Sequence, residues 1–404
     1  MTWLVPFSAL TPEQQEAVYL DDDKHKVIIG GPGAGKSLVL LHRLSYFYEK
    51  NNNNPDAVHL FVYTTSLKDF IKSSTEIFNI PEKCITTFDK WCVETYKKYI
   101  RTSLPYTQSG NYKMPDFAKI RTTLHEQITT KKLNIPLYSA VLVDEAQDMD
   151  QEAIEIICGI AKHVSVAMDE KQQLYNDRLA ELDILRILNI KKHNVALLSA
   201  FRCNPMVTDL ASNFIDDADR RKEFIRQAKN AVGDRHKPLL YIASDFDDEK
   251  KRLAELIHTR LANNETIAIL FPQQKFVYGY AAGLKELGIT VDTNSRSGLD
   301  FSNGHPKALT YNEAKGLTFD CIFMPRLDTS AFTNRMTSTL TSLIFVGISR
   351  AVSWVYLSSV EGILIDVIKE LCVNDSKDYL EIQQKHNISN NPIDADEDWL
   401  DDLY

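Results

Sequence analysis

No stretch of this 404-residue chain approaches the roughly 18 consecutive apolar residues of a membrane-spanning helix, and no basic-then-apolar leader stands at its start. The expectation is a cytoplasmic protein with no membrane partner. Cysteine is sparse: positions 84, 92, 158, 203, 321 and 372 are scattered without a CxxC pair, which argues against a zinc ribbon or a disulfide frame and for reduced, buried thiols. Basic charge is also short, with 46 Lys and Arg against 55 Asp and Glu, a net of -9. That balance does not exclude nucleic acid. Residues 391–404 hold six acids and no base, so most of the excess sits at one end, and a near-neutral body can still carry a basic groove. No internal repeat of solenoid period is present.

What the chain does contain is a succession of short apolar runs separated by helical stretches. "KVIIG" (26–30), "VHLFVYT" (58–64), "YSAVLVDEA" (138–146), "VSVAMD" (164–169) and "NVALLSA" (194–200) form one series. "PLLYIAS" (238–244), "TIAILF" (266–271), "ALTY" (308–311), "CIFMPRL" (321–327) and "WVYLSS" (354–359) form a second. Continuous apolar strands alternating with helices predict α/β domains built on parallel sheets with helices on both faces. The expected division is a first domain at 1–199, with a small helical insertion near 97–136, and a second at 200–375. A loop is expected at 292–307. Beyond residue 376 the sequence turns Asn- and Asp-rich and reads as a flexible acidic tail.

The segment Gly30-Gly31-Pro32-Gly33-Ala34-Gly35-Lys36-Ser37 fits G-x-x-x-x-G-K-[ST] at every fixed position. It follows a strand and opens a helix, as a phosphate cradle requires. Backbone N–H groups of Gly31, Gly33, Ala34 and Gly35 would turn toward phosphates, and Lys36 would reach the terminal ones. The Ser37 hydroxyl would take a Mg²⁺ position. A hundred residues on, "AVLVDEAQDMD" ends a strand in Asp144-Glu145, at the edge where ligands bind in such sheets. Asp144 would hold Mg²⁺ and Glu145 would orient or deprotonate the attacking water. Alone, the acidic turn could also be solvated surface. Joined to the loop, it predicts an ATPase or GTPase.

The order of these and later motifs resembles superfamily 1 DNA helicases of the UvrD/Rep type, from about residue 10 to 360. "LTPEQQEAV" resembles the adenine-reading motif, which implies Gln14 at the base. "MDEKQQLY" resembles GDxxQxxY, implying Gln172 as γ-phosphate sensor. "LSAFRCNP" resembles the Q-x-Y-R segment, implying Phe201 stacked on adenine and Arg202 facing the γ-phosphate. "ALTYNEAKGLTFD" and "FVGISRAVSWVYL" resemble the fifth and sixth motifs, implying a nucleotide-side Gly316 and Arg350 as second arginine finger. The resemblance implies two RecA-like P-loop NTPase domains with ATP and Mg²⁺ in the cleft between them. It also implies single-stranded DNA as the track, 3′ to 5′, gripped through Thr64, Thr65, Thr87, Trp91, Arg178, Thr310 and Asn312. Small hydroxyls suit phosphate gripping, and aromatics such as Trp91 or Tyr63 suit base stacking or, equally, a core. No residue separates DNA from RNA.

The chain departs from that pattern where a strand would be gripped. Asp177 stands where the family carries a stacking tryptophan, Asn312 replaces a histidine and Thr318 a glutamate. Both bulky accessory insertions are reduced to short segments. The expected activity is therefore ATP-driven translocation on a single strand, as the motor of a larger nuclease, repair or defence assembly. The alternative is a nucleotide-driven switch that acts on a protein partner without productive unwinding. Tail residues 391–404, acidic with Trp399, Leu400, Leu403 and Tyr404, are either a solubilising end or a docking peptide.

Overall fold

The computed structural model describes residues 4–31, 33–72, 78–100, 102–109, 112–130, 132–134, 136–169, 181–191, 196–198, 204–215, 217–228, 236–294, 298–332, 336, 339–373 and 378–384. Two parallel sheets organise them. The first contains β1 (Lys26–Gly30), β2 (Val58–Val62), β3 (Ile85–Thr87), β6 (Tyr138–Val143), β7 (Ala161–Met168) and β8 (Ala196–Leu198), in the order β3-β2-β6-β7-β1-β8. A separate antiparallel hairpin joins β4 (Tyr106–Ser109) to β5 (Tyr112–Pro115). The second sheet contains β9 (Leu239–Ala243), β10 (Ile267–Phe271), β11 (Asp292–Thr293), β12 (Lys307–Thr310), β13 (Phe319–Met324), β14 (Ala351–Val360) and β15 (Glu381–Gln384). Its order is β11-β12-β10-β13-β14-β9-β15.

Strand composition explains the layering. In β1, Val27 and Ile29 join one apolar cluster while Ile28 joins another, and all three are buried. The same alternation in β10 sends Ile267, Ile269 and Phe271 one way and Ala268 and Leu270 the other. A strand apolar on both faces belongs in a sheet covered on both faces by helices. One cluster includes inner residues of both sheets, from Ile28, Leu60 and Leu142 to Leu240, Leu270 and Leu357. A continuous core thus unites the two lobes, which are RecA-like in architecture.

The lobes also meet through polar and close-packed contacts. Thr64 Oγ1 lies 3.5 Å from the Lys315 carbonyl, and Leu299 N–H donates to Asp69 Oδ2 at 3.1 Å. Phe70 and Phe301 pack edge to face with centroids 5.1 Å apart. The expected loop at 292–307 is corrected at its ends, where Asp292–Thr293 and Lys307 pair in parallel as strands; between them Leu299 and Phe301 form a strap from the second lobe across the helix Thr65–Lys72 of the first.

Two further expectations need correction, and one strand was not foreseen. The insertion at 97–136 is not only helical, since the β4–β5 hairpin precedes its helix Phe117–Thr129. The tail does not lose all order at 376, because Glu381–Gln384 adds a parallel edge strand to β9. Its register places Ile382 beside Leu240, so this short segment extends the sheet. The short strand β3, with only three residues, carries too little pattern to stand out in the sequence. Among the described residues Cys84, Cys92 and Cys321 are buried thiols, while Cys158 and Cys372 are half-buried.

Candidate functional site

The phosphate loop leaves the C-terminal end of β1 and turns into the helix Lys36–Lys50. Gly33 and Gly35 have φ of 73° and 81°, a region that side chains resist. At Gly35 an added Cβ would sit 2.4 Å from Gln14 Nε2, so close approach also excludes anything larger. Gln14 completes a capping box on the helix Pro12–Val18: its Oε1 accepts from Thr11 N–H at 3.0 Å, and Nε2 donates to the Ala34 carbonyl at 2.9 Å. The residue expected at adenine therefore buttresses the phosphate loop, with both ends of its amide engaged inside the protein.

Lys36 Nζ is folded back on the loop, donating to the carbonyls of Gly30 at 2.8 Å and Gly31 at 3.1 Å, with Asp169 at 3.5 Å. Ser37 Oγ donates to Asp144 Oδ2 at 2.5 Å. Asp144 and Glu145 follow β6 and are buried. Glu145 adopts φ 53°, a strained conformation for a glutamate, and accepts a hydrogen bond from Gln147 Nε2 at 2.5 Å. Gln147 Oε1 in turn accepts from Asp169 N–H at 3.0 Å, which ties the acidic turn to the end of β7.

The two carboxyls are driven apart. Burial, and then the neighbouring Glu145 charge, hold Asp144 above the ordinary carboxylate range, against the Ser37 hydrogen bond and Lys36. Burial also works on Glu145, but Lys36, Arg350, Lys315 and Gln147 together outweigh it and hold its carboxyl low. Arg350 ends the helix–strand junction between Leu340–Ile348 and β14. It donates from Nε to the Val346 carbonyl at 3.1 Å and from Nη2 to Ser349 Oγ at 3.0 Å. A cation of the second lobe thus acts on a carboxylate of the first across the cleft.

Among the described residues no cluster of three or more His, Cys, Asp or Glu is placed to hold a metal ion unaided. The Ser37–Asp144 pair fits Mg²⁺ arriving with a nucleotide: one hydroxyl and one charge-starved carboxylate, with phosphate oxygens completing the shell.

Several sequence-expected contacts lie at or just after the C-terminal ends of strands. Thr64 follows β2 and accepts from Leu67 N–H at 3.1 Å, with Thr65 exposed beside it. Thr87 precedes the helix Phe88–Thr95. Thr310 ends β12, donates to Glu313 Oε2 at 2.9 Å, and is followed by exposed Asn312. Hydroxyls at helix starts are suited to phosphate. Trp91 is not at that edge: 4 % exposed, it packs on Phe61 and Phe88 and donates from Nε1 to the Tyr138 hydroxyl at 2.9 Å. Its role as a stacking platform is corrected to a core role. Gly316, with φ 76°, packs on Leu67 of the first lobe. Gln172, Arg178, Phe201 and Arg202 lie outside the described residues.

Sequence reasoning missed Lys315 and Asp148. Their Nζ–Oδ2 distance is 2.5 Å, and both are buried. The lysine of "NEAKG" and the last acid of "DEAQD" were visible, but nothing in one dimension pairs residues 167 apart.

A family model described as an AAA domain matches residues 14–178. The chain is 22 % identical over 323 residues to a putative ATP-dependent DNA helicase of Acanthamoeba polyphaga mimivirus, covering 74 % of this chain and 45 % of that protein. It is 34 % identical over 86 residues to a probable DNA helicase II homolog of Mycoplasma capricolum, covering 20 % of this chain and 12 % of that one. The chain therefore spans less than half the length of either relative. Among solved structures, S. cerevisiae Dbp5 bound to RNA and ADP BeF3 aligns over 94 % of this chain and 95 % of that one, at 13 % identity and a TM-score of 0.47. The C-terminal domain of a possible DNA helicase from a Lactobacillus aligns over 45 % of this chain and 98 % of its own, at 17 % identity and a TM-score of 0.35.

Proposed function

We propose that this chain is an ATP-hydrolysing, single-stranded nucleic-acid translocase of UvrD type, moving 3′ to 5′ on DNA as the motor of a larger nuclease, repair or defence assembly. The observation that carries the reading is the convergence of Lys36, Ser37, Asp144 and Glu145 of one lobe with Arg350 of the other. Lys36 would exchange its loop carbonyls for the terminal phosphates. Mg²⁺ held at Ser37 and Asp144 would neutralise charge between the β- and γ-phosphates. Glu145, kept ionised, would accept the hydrogen bond of an attacking water and align it. Arg350 would stabilise charge that develops in transfer, which makes hydrolysis depend on lobe closure. Gln172, Phe201 and Arg202 are assigned to γ-phosphate sensing, adenine stacking and the first arginine finger by motif match.

On the nucleic-acid side, Thr64, Thr65, Thr87, Thr310 and Asn312 would grip phosphates, with Arg178 assigned by motif. The similarity to proteins named as helicases supports this reading. The burial of Trp91 favours the second reading, a regulatory switch acting on a protein partner through residues 391–404, because it removes an expected stacking platform. Displacement of streptavidin from biotinylated single strands separates the two. ATP-dependent displacement from the 5′ end alone supports translocation with the stated polarity. No displacement from either end, of DNA or RNA, contradicts it.

A further inference from the structure

The first lobe carries a cleft of about 290 Å³ at the edge of its sheet opposite the phosphate loop. His59 near the start of β2, Thr86 in β3 and Tyr138 at the start of β6 form its floor, while Trp91, Thr95 and Tyr99 form a wall. Lys83, which donates to Asp56 at 2.8 Å, and Lys98, whose ammonium lies 5.0 Å from the Tyr99 ring centroid, are among the lining residues with Glu94. Tyr99 and Lys98 come from Tyr96–Ile100, a single π-helical turn that continues the helix Phe88–Thr95. Such turns are rare and concentrate at functional sites.

Hydrogen-bond bookkeeping shows what the cleft asks for. The Thr86 hydroxyl donates to the Thr87 carbonyl at 3.1 Å, so at 3.2 Å from His59 Nε2 it accepts. His59 is then the Nε2–H tautomer with Nδ1 as a bare acceptor. Burial pushes its pKa down to about 3, so the ring is neutral. Tyr138 accepts from Trp91 Nε1 at 2.9 Å and keeps its own O–H to give. Among the described residues neither His59 Nδ1 nor Thr95 Oγ1 has a partner, although the residues are only 5 % and 6 % exposed, and neither atom is sealed from the cleft. Buried residues seldom leave such capacity unmet.

We propose that this cleft is a second ligand site, for a nucleobase that carries a 5′-phosphate. The exposed Tyr99 ring matches a heterocycle, an adjacent acceptor and donors on a neutral floor match its hydrogen-bonding edge, and Lys98 matches the phosphate. The chemistry is common to a free mononucleotide and to a base presented by a strand. It is independent of the catalytic reading above.

The test is equilibrium dialysis of the full chain with saturating ADP and Mg²⁺ filling the phosphate loop. The probes are AMP, GMP, CMP and UMP at up to millimolar concentration, then 5′-phosphorylated dinucleotides. Saturable binding of one probe per chain is expected. Thr95→Val and Tyr138→Phe should each weaken it about tenfold, the loss of one hydrogen bond in a closed site. Lys98→Ala should weaken it less. Mononucleotides binding at least as well as dinucleotides identify a free ligand, and the reverse identifies a strand. Thr95→Val is near isosteric, so it decides the matter should Tyr138→Phe lose its fold. The proposal is overturned by no saturable binding of any probe, or by binding that Thr95→Val and Lys98→Ala leave unchanged.

Discussion

Lys315 of the second lobe places Nζ 2.5 Å from Asp148 Oδ2 of the first, in a pair with 1 % and 0 % exposed side chains. The same ammonium lies 4.8 Å from the Tyr63 ring centroid. Asp148 N–H donates to the Glu145 carbonyl at 2.9 Å, so the pair is one short turn from the acid assigned to the attacking water. Removing Lys315 would leave a carboxylate buried without its cation, at about 3–5 kcal/mol. Denaturant unfolding of Lys315→Met should show that loss, and Lys315→Met with Asp148→Asn should recover much of it. Additive losses would mean the pair is not coupled.

Gly316 makes the neighbouring interlobe contact with φ 76°, and an added Cβ would lie 2.6 Å from Leu67 Cδ2. Gly316→Ala should cost about 1–2 kcal/mol from left-handed strain plus the clash. In a Leu67→Ala background, itself destabilised by the cavity, the clash is gone and Gly316→Ala should cost only the backbone term, which a double-mutant cycle of unfolding curves would show.

Acid should weaken the first lobe. Burial lowers both His59 and His163 from 6.5 to about 3, so between these values the unfolded chain binds protons that the folded chain refuses. Stability is then full above pH 6.5 and falls as pH drops toward 3, by at most about 1.4 kcal/mol per unit for each ring. His163→Gln should flatten the slope of stability against pH over that interval. An unchanged slope would assign the acid lability elsewhere.

Arg350 is expected to act only as charge develops. Arg350→Ala should lower kcat by about 10³ while ATP affinity changes little. Stopped-flow nucleotide binding beside steady-state rates would separate the two, and an equal loss in affinity would reassign Arg350 to ground-state binding.

The phosphate loop and both strand series were legible because each is local: a glycine pattern between strand and helix, or an apolar run of five or six residues. Glu381–Gln384 was not, since four residues with one apolar side chain among them carry no period. Trp91 was misread at the nucleic-acid edge because a motif position does not say which side of a helix meets the sheet. The Lys315–Asp148 bridge was invisible for a stronger reason. Neither lobe's sequence records how close the other lies.

The most direct test of the account is the rate of ATP hydrolysis with and without single-stranded DNA and RNA, beside Glu145→Gln. Stimulation by one of these strands, abolished by the substitution, is the predicted result and names the track. A Glu145-dependent rate that neither strand changes would contradict the motor and leave a protein-directed switch.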